Sequence, residues 1–202
     1  RRMNLKSIRV HLPVLALLQA VVFLSFGRIL SSPLWRASDF EILYDANILS
    51  RDLGVMFRHV GTLVSQPLLQ LWFLAEYRLF GLNMTGYYTV NLALHGLNAV
   101  LLYMLVNMLF ANARLAILAA LLFAFTVGSY GKVLLSLASL ELLLLTFLYL
   151  LILYSLIRND FRHEGRIRSP WFALALGLFT IAGLTKPTMF SLLGCLLAYK
   201  LF

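Results

Sequence analysis

Four of the chain's eight carboxylates fall within one short stretch: Asp39, Glu41, Asp45 and Asp52. A carboxylate can act as a general base toward an acceptor hydroxyl or amide. Asp39, Glu41 and Asp45 together can also share a divalent cation through their oxygens. The same residues suit a solvated loop whose acids pair with Arg36, Arg51 and Arg58, so spacing alone leaves both readings open. Further along, Asn91, His95 and Asn98 stand at i, i+4 and i+7, which aligns them on one helix face. In an apolar helix such groups turn toward the bundle interior, where they line a cavity wall or bond to neighbouring helices. No second His or Cys lies at ligand spacing from His95, so the sequence offers no metal centre there. Glu141 stands in another apolar stretch, near Ser136 and Ser139. Its charge costs about 3 kcal/mol at membrane depth unless paired or protonated. It reads as a cavity-facing acid or as a buried hydrogen-bonding group. Lys186, ahead of Pro187, either meets an anionic phosphate or snorkels to the membrane interface.

The elements that position these residues are dictated by composition. Apolar residues make up 61% of the 202, charged residues 12%, and mean hydropathy is +0.87. A soluble domain is nearer half apolar and a quarter charged. The expected fold is therefore all-α: one polytopic transmembrane bundle, residues 1–202, of about six spans. The net charge of +9 lies in membrane-flanking segments and not in a free basic helix, which argues topology and not nucleic acid. The single cysteine, Cys195, permits no internal disulfide and reads as apolar packing. The first apolar stretch is too long for a removable signal peptide and lacks its small-residue cleavage site.

The expected spans are Ile8–Leu30, Thr85–Phe110, a third from Arg114 to Val127, Val133–Ile157, Trp171–Leu184, and a sixth from Thr188, the last two being short. Residues 31–84 form one long loop. Arg1, Arg2, Lys6 and Arg9 precede span one, and Arg158, Arg162, Arg166 and Arg168 crowd the loop before span five. By parity these lie on one side, and dense positive charge marks the cytoplasm. The acidic loop then faces the periplasm, exterior or lumen. Within it, Thr62–Phe80 is interrupted by Gln66, Pro67, Gln70, Glu76 and Arg78. It reads as an amphipathic helix starting near Pro67 on the outer membrane surface, with Trp72, Tyr77 and Phe80 at headgroup level. Asn83-Met84-Thr85 is a glycosylation sequon lying too close to span two for use.

Four segments in order carry a family resemblance. They are ASDFEILYDANIL; PLLQLWFLAEYRLFGLNMTGYYTVNLALHGLNAVLLYML; LLFAFTVGSYGKVLLSLASLELLLLTFLYLL; and LGLFTIAGLTKPTMFSLLGCLLAYKLF. The second, with its surface helix, Gly-Leu-Asn turn and Asn-x-x-x-His span, is the most specific. Together they resemble the membrane domain of GT-C glycosyltransferases, in the branch of protein O-mannosyltransferases and tetratricopeptide-linked membrane transferases. The resemblance implies sugar transfer from a polyprenyl- or dolichyl-phosphate donor to an acceptor on the non-cytoplasmic side. Asp39 matches the family's base, with Glu41 and Asp45 supporting the acceptor or an ion. Lys186, with Arg58, would meet the donor phosphate, and Asn91, His95 and Glu141 would shape the cavity wall.

The chain departs from the family pattern in several places. Ser38 precedes Asp39 where adjacent acids are usual, Gln66-Pro67 replaces an Arg-Pro pair, and Ser139 stands near a missing arginine of span four. Family members also carry more spans. These departures sustain a second expectation, a catalytically degenerate subunit of a larger membrane complex, with partner membrane subunits on its apolar faces. A transporter using Glu141 as an ion site is a third reading, opposed by the lack of an evident inverted repeat. The expected partners are thus membrane lipids, a lipid-linked sugar donor and other membrane subunits.

Overall fold

The computed structural model describes residues 5–31, 37–57, 66–126, 134–163, 167, 169–185, 191–192 and 194; of 5–11, 56–57 and 163 only the backbone is described. Nearly all the described residues are helical, and none lies in a strand. They form α1 (Leu5–Phe26), α2 (Ala37–Arg51), α3 (Pro67–Phe80), α4 (Met84–Phe110), α5 (Ala113–Thr126), α6 (Leu140–His163) and α7 (Pro170–Gly183). Short 3₁₀ turns cover Gly27–Ser31, Leu53–Phe57 and Leu137–Ser139.

Among the described residues, three helical stretches are long and apolar enough to cross a membrane: Leu12–Ser31, Met84–Phe110 and Leu137–Arg162. The helices α5 and α7, expected as spans three and five, have 14 residues each. At 1.5 Å per residue each covers about 21 Å, against a hydrocarbon core of roughly 30 Å. The expected sixth span lies outside the described residues apart from 191, 192 and 194.

The α4 helix is the centre of the bundle, in contact with α1, α3, α5 and α6. Gln19 Nε2 of α1 donates to Ala93 O at 3.4 Å, and Thr85 Oγ1 donates to Leu30 O at 3.2 Å, so α1 and α4 run antiparallel. A Cβ on Gly96 would stand 2.1 Å from Gln19 Oε1, so glycine is what admits that side chain against α4. The turn into α5 is tight because Ala111 adopts the left-handed conformation (φ 51°) and Asn112 Oδ1 caps the next helix, accepting from Arg114 N and Leu115 N at 3.1 Å.

Three local expectations need correction. The acidic stretch is a helix and not an irregular loop. Ile42, Leu43, Ala46 and Leu49 recur at helical spacing and are buried, and the helix ends where Asp52 Oδ1 accepts from Gly54 N at 2.8 Å. The fourth apolar helix begins at Leu140, not near Val133, and runs to His163, six residues beyond Ile157. Its far end is held by the Arg158 guanidinium, which donates to Tyr154 Oη and lies 4.5 Å from the Trp171 ring centroid. There Ser169 Oγ donates to Asn159 Oδ1 and caps α7 by accepting from Phe172 N at 3.1 Å.

The third correction concerns α3. It starts at Pro67 as expected, with proline at the first helical position. Yet it turns Gln70 and Glu76 inward with Leu69, Phe73 and Leu74, while Leu71 and Leu79 are exposed. Of the residues that looked like interruptions, Gln70 and Glu76 are buried and Arg78 is exposed, and α3 packs against α2 and α4. The sequon is occupied locally: Asn83 Oδ1 caps α4 by accepting from Thr85 N at 3.1 Å.

Candidate functional site

The C-terminus of α1 and the N-termini of α4 and α6 meet at one end of the bundle, with α2 and α3 beside them. Asp39, in the first turn of α2, is 0% exposed. Its Oδ1 accepts from Leu137 N at 2.9 Å and from Ser136 Oγ at 3.2 Å. The backbone of the same turn is held from the other side by Asn91 Nδ2 of α4, which donates to Leu134 O at 3.5 Å and Ser136 O at 3.4 Å. Asp39, Asn91 and Ser136 thus form one buried polar knot around the entry to α6. Ser136, expected near Glu141, engages Asp39 instead.

The carboxylates expected to act together are divided by the helix that carries them. At 100° per residue, Glu41 and Asp45 lie 40° apart on α2, and Asp39 lies on roughly the opposite side. Burial follows this division: Asp39 is buried, Asp45 half-buried and Glu41 exposed. A shared ion between all three is therefore not built by α2, and among the described residues no three acidic, His or Cys side chains are grouped to hold one.

One turn further along α4, His95 is fully buried and its Nε2 lies 3.1 Å from Ala124 O of α5. Its ring packs between Phe26, edge-on at 6.3 Å between centroids, and Phe123 at 5.3 Å. Asn98 Nδ2 donates to Leu143 O of α6 at 3.0 Å. The Asn91, His95 and Asn98 face is accordingly a ladder of interhelical hydrogen bonds to backbone carbonyls of α5 and α6 and the turn before α6. Glu141 is the second residue of α6, in its first turn, and half-buried. A carboxylate there faces the positive end of the helix dipole. Lys186 and Arg58, the expected phosphate-binding residues, lie outside the described residues.

Sequence reasoning passed over Glu76 as a site. It is 5% exposed, and burial pushes its carboxyl up from 4.5 to about 7, with the Trp72 indole one turn earlier opposing the rise in part. Glu76 Oε1 and Trp72 Nε1 are each buried, and the two side chains lie close enough for the indole to act on the carboxyl. The available signal was the i, i+4 placement of Trp72 and Glu76 in an otherwise apolar helix.

No family model, no curated protein and no solved structure matches the chain.

Proposed function

We propose that this chain is the membrane domain of a glycosyltransferase-like protein that moves a sugar from a polyprenyl-phosphate donor to an acceptor on the non-cytoplasmic side. In this proposal six spans cross the membrane with the N-terminus in the cytoplasm, and α2 and α3 cover the bundle's outer end. The observation that carries the reading is the placement of Asp39. A carboxylate on the first helix after α1 is buried where α2 meets the start of α6, in an otherwise apolar bundle. Burying a carboxylate is costly unless it is hydrogen-bonded, and the four-segment resemblance assigns this residue the role of base. As base, Asp39 takes the proton of the acceptor hydroxyl or amide, the acceptor atom bonds to the sugar's anomeric carbon, and the bond from that carbon to the donor phosphate breaks as the lipid phosphate leaves. Lys186 and Arg58 are the proposed partners of that phosphate. Because Asp39 is covered, α2 must shift to admit the acceptor.

A second reading has its own observation. Asp39 Oδ1 accepts from Ser136 Oγ and Leu137 N, both in the turn that starts α6, which is how a structural clamp behaves. In that case the chain is a non-catalytic subunit of a larger membrane complex.

One experiment separates the two. Asp39→Asn keeps an oxygen that can accept both hydrogen bonds but removes the base. Assayed in membranes with a radiolabelled polyprenyl-phosphate sugar, the variant of a transferase loses transfer at unchanged abundance. Transfer at the wild-type rate would remove Asp39 as the base. Absence of transfer in the wild type, with stoichiometric membrane partners copurifying, would favour the subunit.

A further inference from the structure

Cations gather where α6 ends. Arg158 and Arg162 stand at i and i+4 on that helix, so they share one side, and Asp160 lies about 200° round from Arg158 on the other. The α4 helix ends beside them: Leu105 clusters with Tyr154 and Ile157, and Met108 and Trp171 pack against that cluster. Arg114, exposed in the first turn of α5, therefore belongs to the same end of the bundle. The segment joining α6 to α7 carries Arg166 and Arg168 against Glu164. Arg162 closes a stretch long and apolar enough to cross a membrane, and Arg158 stands one turn inside it, about 6 Å deeper.

Arg158 is half-buried, and its contacts are aromatic. Its guanidinium donates to Tyr154 Oη and lies 5.5 Å from the Tyr154 ring centroid and 4.5 Å from that of Trp171. Among the described residues no carboxylate pairs with it. The phenol and the two rings hold the group in one orientation. Nη1 is taken by Tyr154 and Nε is buried, which leaves Nη2 as the edge offered outward. A charge at this depth is costly unless an anion meets it. At the end of a span the bilayer itself supplies one: phosphate, which a guanidinium binds through charge-assisted hydrogen bonds. A choline or ethanolamine on that phosphate would bring another cation among the arginines, so the charge pattern selects a lipid of net negative charge. We propose that this end of the bundle holds the phosphate of an anionic phospholipid, with Arg158 as its oriented donor and Arg162 as the second cation. The site lies at the opposite end of α6 from the Asp39 knot and does not depend on the transferase reading.

The test uses the full chain in dodecyl maltoside micelles, with phosphatidylglycerol or phosphatidylcholine titrated in. Phosphatidylglycerol should raise the melting temperature saturably, as binding to the folded state requires, and native mass spectrometry should find it retained. Phosphatidylcholine should bind about ten-fold more weakly. Arg158→Lys keeps the charge but not the planar donor that lies over Trp171, and it should weaken phosphatidylglycerol binding about ten-fold. Arg28→Gln, in the turn after α1 at the other end of the bundle, should leave binding unchanged. Inorganic phosphate should neither stabilise the chain nor displace the lipid. Equal binding of the two lipids, an Arg158→Lys variant that binds like wild type, or a loss of the same size in Arg28→Gln would overturn the proposal. Stabilisation by inorganic phosphate equal to that by the lipid would overturn it too, in favour of a free anion. If Arg158→Lys fails to fold by circular dichroism, two measurements decide: the lipid comparison on wild type, and Arg162→Gln, which should weaken binding while leaving the aromatic contacts of Arg158 in place.

Discussion

Asp39 Oδ1 accepts the backbone N–H of Leu137 at 2.9 Å, joining the first turn of α2 to the entry of α6 across 98 positions of chain. The bond fixes where α2 sits over the bundle and where α6 begins. Removing the carboxyl leaves the Leu137 amide without this acceptor and the Ser136 hydroxyl without its buried one.

Asp39→Ala should therefore destabilise the folded chain by about 3 kcal/mol, from two donors at about 1–3 kcal/mol each. Asp39→Asn should cost under about 1 kcal/mol, since its amide oxygen still accepts. Thermal unfolding in detergent micelles, read by circular dichroism, measures both. Equal melting temperatures for wild type and Asp39→Ala would refute the clamp.

The contact between α1 and α4 gives a second prediction. A Cβ on Gly96 would meet Gln19 Oε1 at 2.1 Å, an impossible separation, but the obstacle is the end of a flexible side chain. Gly96→Ala should push Gln19 aside and lose its bond to Ala93 O. The expected cost is about 1 kcal/mol, after allowing for alanine's better helix propensity. In a Gln19→Ala background the same substitution should be neutral or stabilising. A double-mutant cycle measures this coupling; additive effects would count against the packing described.

Much of this architecture was legible in residue pattern. The long apolar runs that became α1, α4 and α6 announce themselves by length alone, and Pro67 marks the start of α3 to the residue. The i, i+4, i+7 spacing of Asn91, His95 and Asn98 foretold interhelical bonding, though not its acceptors, because backbone carbonyls leave no trace in side-chain pattern. The helical spacing of Ile42, Leu43, Ala46 and Leu49 was present but overshadowed by the acids between them. The start of α6 was misjudged because Val133 through Leu140 is uniformly apolar apart from Ser136 and Ser139. Hydropathy cannot show that a carboxylate 97 positions away in sequence bonds Ser136 and holds that segment in a 3₁₀ turn.

Glu76 predicts a pH dependence whose sign runs against the usual acid denaturation. Its carboxyl rises from 4.5 to about 7 on folding, through burial. Between those values the folded chain keeps a proton that the unfolded chain has released. Stability is thus fully present below about pH 4.5, declines as pH rises through the window, and levels off above pH 7. The full loss is about 3 kcal/mol. Glu76→Gln should remove this slope, so the difference in melting temperature between variant and wild type should grow from pH 5 to pH 8. A constant difference would show that Glu76 does not titrate in that range.

Two turns at opposite ends of α4 predict opposite effects of one chemical swap. Ala111 closes the helix in the left-handed region (φ 51°, ψ 30°), where its Cβ is crowded by the backbone. Gly81 closes α3 at φ 57° and ψ −117°, a conformation open essentially to glycine alone. Ala111→Gly should be stabilising by about 0.5–1 kcal/mol, because relief of steric strain exceeds the added chain entropy. Gly81→Ala should cost about 1–3 kcal/mol, and it should weaken the bonds that gather at this turn. Those are Gly81 N to Tyr77 O at 2.8 Å and Tyr87 Oη to Gly81 O at 2.8 Å. Hydrogen exchange then separates local from global effects: Gly81→Ala should lower protection at the α3–α4 junction while leaving the Ala111–Asn112 turn unchanged. Loss of protection at both turns alike would mean that the variant had unfolded the whole bundle and that the strain at Gly81 is not local.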